Sequence, residues 1–214
     1  MFPIIVGTML ALSVLSTPSA MLTPLAQNQV ISEQVYSLSD RYPNTFVNDV
    51  FADNIMLTMA YMRGAVTDGK NVDWSKVNED FVYSMELKPG ETFAFHDEVL
   101  PEYQGKVTFT TNAHFDSSEG FKSDGWLVAD GVCHLASMMN MVATNAGLKV
   151  VAPTNHDFAN IPDVPREYGT AIYYMPGEDG TSSMQNLYVT NTFDKPVTFV
   201  FTHRGNSLDI AVEK

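Results

Sequence analysis

Apolar residues recur at intervals of three and four between positions 47 and 62, which is the spacing of one face of an α-helix. Gly64 follows the last of them closely and is suited to ending that helix. The pattern predicts an amphipathic helix over residues 47–62, whose methionines we interpret as core residues because methionine fills irregular gaps. The positions that carry the pattern are Val47, Val50, Phe51, Ile55, Met59 and Met62.

A second helical pattern follows the turn-rich stretch from Asp124 to Gly131. Cys133 comes directly after this stretch, so we expect it at or near a helix N-terminus. The helix is predicted to end at Gly147, and the apolar residues 148–152 then predict a buried strand that leads to His156. The apolar face of this helix consists of Leu135, Met138, Met139, Val142 and Ala146.

Short runs of β-branched and aromatic residues, separated by turn residues, are typical of antiparallel strands. They predict upstream strands at 92–95 and 106–113, and a hairpin turn at 176–180 between residues 171–175 and 184–191. We expect the Cys133 helix to pack on one face of the C-terminal sheet, which gives an α+β fold with an N-terminal helical segment. The predicted C-terminal strands are 148–152, 170–175, 185–191, 196–203 and 207–212.

The length and composition favour one packed domain preceded by an arm. The chain has 214 residues, of which 45% are hydrophobic and 17% charged, so it can bury a core. Residues 21–45 are polar and turn-rich and are predicted to form a lead-in arm, and residues 46–214 a single domain. The net charge of -13 repels phosphate backbones and anionic lipid headgroups, so we expect no nucleic-acid partner.

The N-terminus has the pattern of an export signal. Residues 4–15 are apolar, a run too short to span a bilayer, and residues 16–20 are small residues and a proline that resemble a cleavage region. We therefore interpret residues 1–20 as a signal peptide, with no other membrane span in the chain, and expect an exported protein of the cell envelope or extracellular space.

Cys133 and His156 are the candidate catalytic residues. The chain has one cysteine, so an internal disulfide is excluded. A helix N-terminus favours a thiolate, and a histidine within reach can act as its base. The alternative is a buried structural cysteine. Candidate binding residues flank the pair in the sequence, and three further histidines are interpreted as surface residues. The candidate binding residues are Asp130, His134, Asp157 and Trp126, and the three surface histidines are His96, His114 and His203.

Several segments in the right order resemble the VanW family. They are residues 131–137 around Cys133, residues 146–151 with Ala-Gly-Leu at the helix end, and residues 155–157 around His156. Residues 87–95 resemble the Pro-Gly-Glu lead of the family, and residues 186–191 and 195–197 resemble its closing strand pair. The resemblance covers residues 87–212 and implies an association with Gram-positive-type cell envelopes.

The chain departs from the family pattern at four positions. His134 stands where the family has Gln, and Asp157 stands where it has Ser. Tyr168 and Asn186 stand where the family has Asp. If those carboxylates orient the histidine in other members, this chain lacks them, which weakens a catalytic interpretation.

Three hypotheses of function follow. The first is an accessory or binding module acting at the cell wall, with the Cys/His region as a ligand pocket and a cell-wall component or envelope protein as partner. The second is a thiol-dependent peptidase or acyl-transferase that acts on peptidoglycan peptides. The third is a zinc site of Cys133, His134 and His156, which lacks any close-spaced ligand motif. We therefore expect no metal and no cofactor.

We predict that the N-terminal segment is removed between about Thr17 and Ala26, because the short apolar run is followed by small residues. Intact-mass measurement of the secreted protein checks this. A cytosolic protein that retains Met1 would contradict the prediction.

Overall fold

The computed structural model describes Met1, residues 29–175, Gly177 and residues 180–214. The predicted signal peptide therefore lies outside the described residues. Within the described part, the structure contains four α-helices, four short 3-10 turns and two four-stranded sheets. The predicted α+β class is confirmed. The helices are α1 (Thr45–Met62), α2 (Trp74–Val77), α3 (Val132–Asn145) and α4 (Thr181–Met184).

The larger sheet is antiparallel throughout, with the strand order β1-β8-β7-β2. Its residues alternate along β7, where Val197, Phe199, Phe201 and His203 are buried and the residues between them are partly exposed. This alternation places one face of the sheet against the core. The strands are β1 (Val30–Ser37), β2 (Phe81–Leu87), β7 (Val197–Arg204) and β8 (Ser207–Glu213).

The smaller sheet has the order β4-β3-β6-β5 and is mixed, because β3 and β4 are parallel whereas the other pairs are antiparallel. The strands that the sequence predicted as one C-terminal group are thus divided between two sheets. Helix α3 contacts β1 and β8 of the larger sheet and β5 of the smaller one, and it also packs against α1. The strands are β3 (Thr92–Ala94), β4 (Val107–Phe109), β5 (Lys149–Val151) and β6 (Tyr188–Thr190).

The two long helices lie where the hydrophobic pattern predicts them. Asn44 caps α1, since its side chain accepts a hydrogen bond from Val47 N–H at 3.3 Å. Gly64, at a φ of 72°, follows the end of α1, and Gly147, at a φ of 81°, follows the end of α3. Most residues of both helices are buried, and this tertiary packing stabilises the helices.

Residues 30–37 and 170–175 differ from the sequence prediction. The polar segment interpreted as an arm contains β1, which pairs along its length with β8. Residues 170–175 form no strand: Ile172 N–H donates to Cys133 Sγ at 3.3 Å, and Met175 N–H donates to Ser182 Oγ at 2.8 Å. Side-chain atoms thus accept hydrogen bonds from two backbone N–H groups that would otherwise be free to pair with a neighbouring strand. The predicted hairpin is also wrong, since α4 precedes β6.

Two histidines interpreted as surface residues are buried. His96 is buried beside Asn186, and His203 is buried on β7 with Nδ1 3.0 Å from Glu79 O. His114 is only partly exposed and contacts Glu119 at 3.1 Å. The interpretation was therefore wrong for His96 and His203, because strand-like polar surroundings in a sequence do not reveal which face of a strand turns inward. No helix among the described residues is long and apolar enough to cross a membrane.

Gly131 allows α3 to begin directly against α1. Its φ is 99°, in the left-handed region that favours glycine. A Cβ at this position would also lie 2.4 Å from Phe51 O and 2.8 Å from Phe51 Cα, both on the backbone of α1. Backbone cannot move aside as a flexible side chain does, so the contact between the two helices requires a glycine here.

We predict that Gly131→Ala lowers the free energy of unfolding by about 2–5 kcal/mol, because left-handed strain and overpacking add together. Gly125→Ala is the matched control: its φ is 105°, but nothing lies within 4 Å of an added Cβ. That variant should lose only the strain, about 1–2 kcal/mol. Urea unfolding of both variants checks the difference, and equal losses would contradict it.

Candidate functional site

A cavity of about 560 Å³ lies at the N-terminal end of α3, and it contains most of the chemistry that the sequence singled out. Six parts of the chain line it. These are α1 with the residue Tyr42 before it, the loop at 114–117, the loop at 124–131 that leads into α3, the first turn of α3 itself, the loop at 156–160 and the segment 172–174. Cys133, His134, His156 and Asp130 are all lining residues. The fold thus brings together residues separated by more than twenty positions.

Asn54, fully buried on α1, holds the loop that leads into α3. Its Nδ2 donates to Lys122 O at 3.0 Å and to Asp130 O at 2.8 Å, and its Oδ1 accepts from Lys122 N–H at 2.8 Å. The loop between these contacts includes Ala129 at a φ of 67°, an uncommon conformation for a residue with a side chain. One amide side chain therefore fixes both ends of the cavity wall.

Cys133 lies in the first turn of α3 as predicted, but its thiol is engaged by backbone. Ile172 N–H donates to Sγ at 3.3 Å, and the thiol donates to Ile172 O at 3.7 Å. The pKa of the thiol is raised to about 11, mainly by burial; the Ile172 N–H opposes the shift and the nearby Asp130 adds to it. The thiol is therefore protonated at pH 7. The helix N-terminus is too weak to reverse this.

His134 and His156 lie next to each other in the cavity wall, with ring centroids 6.3 Å apart. His134 is 4% exposed and packs against the Phe51 ring at 4.8 Å, while His156 is 6% exposed and packs against Phe158 at 4.0 Å. Burial lowers the pKa of His134 to about 3, helped by the charge of Arg41, and burial also lowers the pKa of His156. Both rings are therefore neutral at pH 7.

Neither imidazole is positioned as a base for Cys133. In the part of the chain that the structure describes, Cys133 Sγ forms hydrogen bonds with Ile172 alone. Nδ1 of each histidine is buried without a partner there. The thiol and His156 share a cavity, but the structure does not bring them into a catalytic pair.

Two carboxyl groups, Asp124 and Asp130, line the same wall. Burial raises the pKa of Asp130 to about 6, and the negative charge of Asp124 acts in the same direction. Asp124 accepts hydrogen bonds from Trp126 N–H at 2.8 Å and Leu127 N–H at 3.4 Å, and these lower its pKa. Asp130 Oδ2 is buried without a partner in the described structure.

The other two predicted binding residues lie outside the cavity lining. Trp126 is 92% exposed at the tip of the 124–128 turn, and Asp157 is exposed, with its backbone oxygen accepting from Arg166 at 3.3 Å. The sequence analysis missed several lining residues that come from distant elements, and His114 was treated as a surface residue. No sequence signal marks these positions. The missed lining residues include Tyr42, Phe51, Phe115, Ile172, Tyr173 and Tyr174.

No group of three or more histidine, cysteine or carboxylate side chains is arranged to hold a metal ion among the described residues. A structural zinc needs four such ligands in tetrahedral geometry. Nothing in this part of the chain therefore supports the third hypothesis.

Residues 75–212 match the family model described as VanW like protein, a span that includes β2, α3 and the whole cavity wall from 114 to 174. The chain belongs to the VanW family. The resemblance drawn from residues 87–212 is thereby confirmed. No curated protein and no solved structure matches the chain.

One departure from the VanW-family pattern has a structural explanation here. Asn186, which stands where the family pattern has Asp, is fully buried: its Oδ1 accepts from Phe95 N–H at 2.9 Å, and its Nδ2 donates to His96 O and Glu98 O at 3.1 and 3.0 Å. An amide supplies both the donor and the acceptor that this position uses. Asn186 therefore holds the end of β3 in place and lies outside the cavity lining.

We predict that native protein reacts slowly with iodoacetamide up to about pH 9, because the thiolate is the reactive form and burial raises the Cys133 pKa to about 11. His156→Ala should leave the rate unchanged. Urea-unfolded protein is the control and should label as an ordinary thiol with a pKa of about 8.5. Rapid labelling near about pH 6 that is lost in His156→Ala would contradict the prediction.

Proposed function

We propose that this VanW-family protein is exported to the cell envelope and acts there as an accessory or binding module, whose cavity at the start of α3 receives a cell-wall component. The observation that carries the proposal is the cavity itself. Its volume of about 560 Å³ is in the usual range for ligand sites, and buried polar side chains converge on it from several elements.

The state of Cys133 favours binding over turnover. A nucleophilic cysteine needs a lowered pKa and a base in contact, whereas this thiol has a raised pKa and its hydrogen bonds go to Ile172. These contacts give the cysteine a structural role, since they attach segment 172–174 to α3. The same segment carries Tyr173 and Tyr174 to the cavity wall.

A thiol-dependent peptidase or acyl-transferase acting on peptidoglycan peptides is the second candidate. One observation favours it: Cys133, in the first turn of α3, and His156 line the same cavity. A ligand that released Sγ from Ile172 and moved the imidazole would be needed to form the pair. An assay that separates binding from product formation therefore decides between the two functions.

We predict that purified peptidoglycan fragments are retained equally by the wild type and by Cys133→Ser, whose hydroxyl can keep the hydrogen bonds with Ile172, and that neither protein yields product. Pull-down and mass spectrometry of the same incubation measure both quantities. Product that forms with the wild type but not with Cys133→Ser would establish the thiol enzyme in place of the binding module.

A pair of valine variants tests whether the cavity is the binding site. Val128→Trp fills the rim, where this valine is 45% exposed and lines the cavity, and should weaken fragment binding about tenfold or more. Val35→Trp is the control, because Val35 is 54% exposed on β1 and lies outside the cavity lining. Equal retention of both variants, or no retention by the wild type, would overturn the proposal.

A further inference from the structure

The cavity concentrates buried polar atoms that have no partner. In the described part of the chain, six buried side-chain nitrogen or oxygen atoms lack a hydrogen bond, and three of them are Asp130 Oδ2, His134 Nδ1 and His156 Nδ1. All three residues line this one cavity. Since buried polar atoms are rarely left unpaired in native proteins, their grouping indicates that water or a ligand in this cavity completes their hydrogen bonds.

An ionised carboxylate can only accept hydrogen bonds, and a neutral imidazole accepts at whichever ring nitrogen lacks the proton. Both histidines are neutral at pH 7, because burial lowers the pKa of each. Asp130 Oδ2 therefore suits a ligand that donates a hydrogen bond, and each Nδ1 does the same in the tautomer that carries its proton on Nε2. Such a ligand carries N–H groups or hydroxyl groups.

The charge of the lining residues distinguishes between a ligand with N–H groups and one with hydroxyl groups. Asp116, Asp124 and Asp130 line the cavity, and within the described parts of the chain no lysine or arginine is among its lining residues. Three cations lie behind the lining and have other partners: Arg41 pairs with Asp163 at 2.8 Å, Lys122 pairs with Asp53 at 2.5 Å, and Arg166 donates to Asn160 Oδ1 at 3.1 and 2.9 Å. Two adjacent carboxylates repel each other, so a positive ligand relieves that repulsion, whereas an anion meets it.

Aromatic side chains form much of the remaining wall. Phe51, Phe158 and the pair Tyr173 and Tyr174 come from three different parts of the chain. The face of an aromatic ring attracts a cation, and the ring also buries the apolar part of a ligand. Carboxylates together with aromatic rings, and without a lysine or an arginine, are therefore suited to a cation attached to an apolar body.

We propose that the cavity binds a primary amine on an apolar body, whose ammonium group donates to Asp130 while the body packs on the aromatic wall. The inference rests on the proposed binding function and names the chemical class of its ligand. His134 and His156 line the same cavity and supply further acceptors at whichever ring nitrogen lacks the proton. A cell-wall peptide presents this chemistry wherever it carries a free amino group.

Three probes with the same aromatic body test the charge requirement: phenethylamine, 2-phenylethanol and phenylacetate, which are cationic, neutral and anionic. At about pH 8, where Asp130 is ionised, we expect titration calorimetry to show the amine binding at least about tenfold more tightly than the alcohol, a difference of about 1.4 kcal/mol. The acid should not bind. Equal affinities for amine and alcohol would overturn the inference, as would no binding of the amine.

Asp130→Asn keeps the shape of the side chain and leaves its backbone bond to Asn54 intact, and it should lower the affinity for the amine about tenfold. Asp209→Asn is the matched control, because Asp209 also buries an unpartnered carboxylate oxygen but lies on β8, outside the cavity lining. Unchanged affinity in Asp130→Asn would overturn the inference. If that variant unfolds, Asp124→Asn replaces it with the same expectation.

The two proposals fail in different ways. Retention of peptidoglycan fragments that Val128→Trp removes, together with amine and alcohol affinities that are equal, would sustain the binding function and refute the cationic ligand. Tight amine binding that depends on Asp130, with no retention of wall fragments, would sustain the ligand class and refute the cell-wall component as the partner.

Discussion

The contact between α1 and the start of α3 is the constraint on which the rest of this structure depends. The backbone of Phe51 leaves no room for a side chain at position 131, where the chain has glycine. Asn54, less than one turn further along α1, forms hydrogen bonds with both ends of the loop that precedes α3. The start of α3 and the loop before it are thereby both held against α1. The cavity is the space that remains between this loop, α1 and the segment 172–174.

Cys133 completes that arrangement from the other side. Its hydrogen bonds with Ile172 attach segment 172–174 to the first turn of α3, and they occupy backbone groups that would otherwise enter a strand. The same burial that makes these contacts possible disfavours the thiolate. A structural role favours a buried, protonated thiol, whereas a nucleophilic role requires a thiolate. The conformation of Cys133 favours the structural role.

The polar groups that line the cavity differ from those of the core in how far their hydrogen bonds are satisfied. Asn54 and Asn186, both fully buried, have donor and acceptor atoms matched by backbone groups. Asp130, His134 and His156 each retain a buried atom without a partner. Among the described residues, both of these structural amides are thus satisfied, whereas half of the six unpartnered buried atoms belong to the lining of one cavity, a distribution that favours a ligand there over a defect of packing.

Local pattern was sufficient for the elements whose apolar spacing is regular. The sequence alone determined α1 and α3, the strands β7 and β8, the α+β class, the position of Cys133 in the first turn of a helix and, through its ordered segments, the VanW family. In these elements, apolar residues recur at a regular interval, so several positions of the sequence indicate the same helix or strand. The sequence also predicted that Asp130, His134 and His156 belong with Cys133, because they lie close to the same turn and the strand that follows it.

Only the tertiary structure decided which distant groups meet. Residues 30–37 form β1 because they pair with β8, whereas residues 170–175 form no strand, and the N–H groups of Ile172 and Met175 donate to Cys133 Sγ and Ser182 Oγ. Phe51, Tyr173 and Tyr174 reach the cavity from elements more than a hundred residues apart. Hydrogen-bond competition and burial depend on partners that are remote in sequence, so no local pattern encodes them. For the same reason, the thiol that the helix N-terminus favours locally is held protonated by its surroundings in the fold.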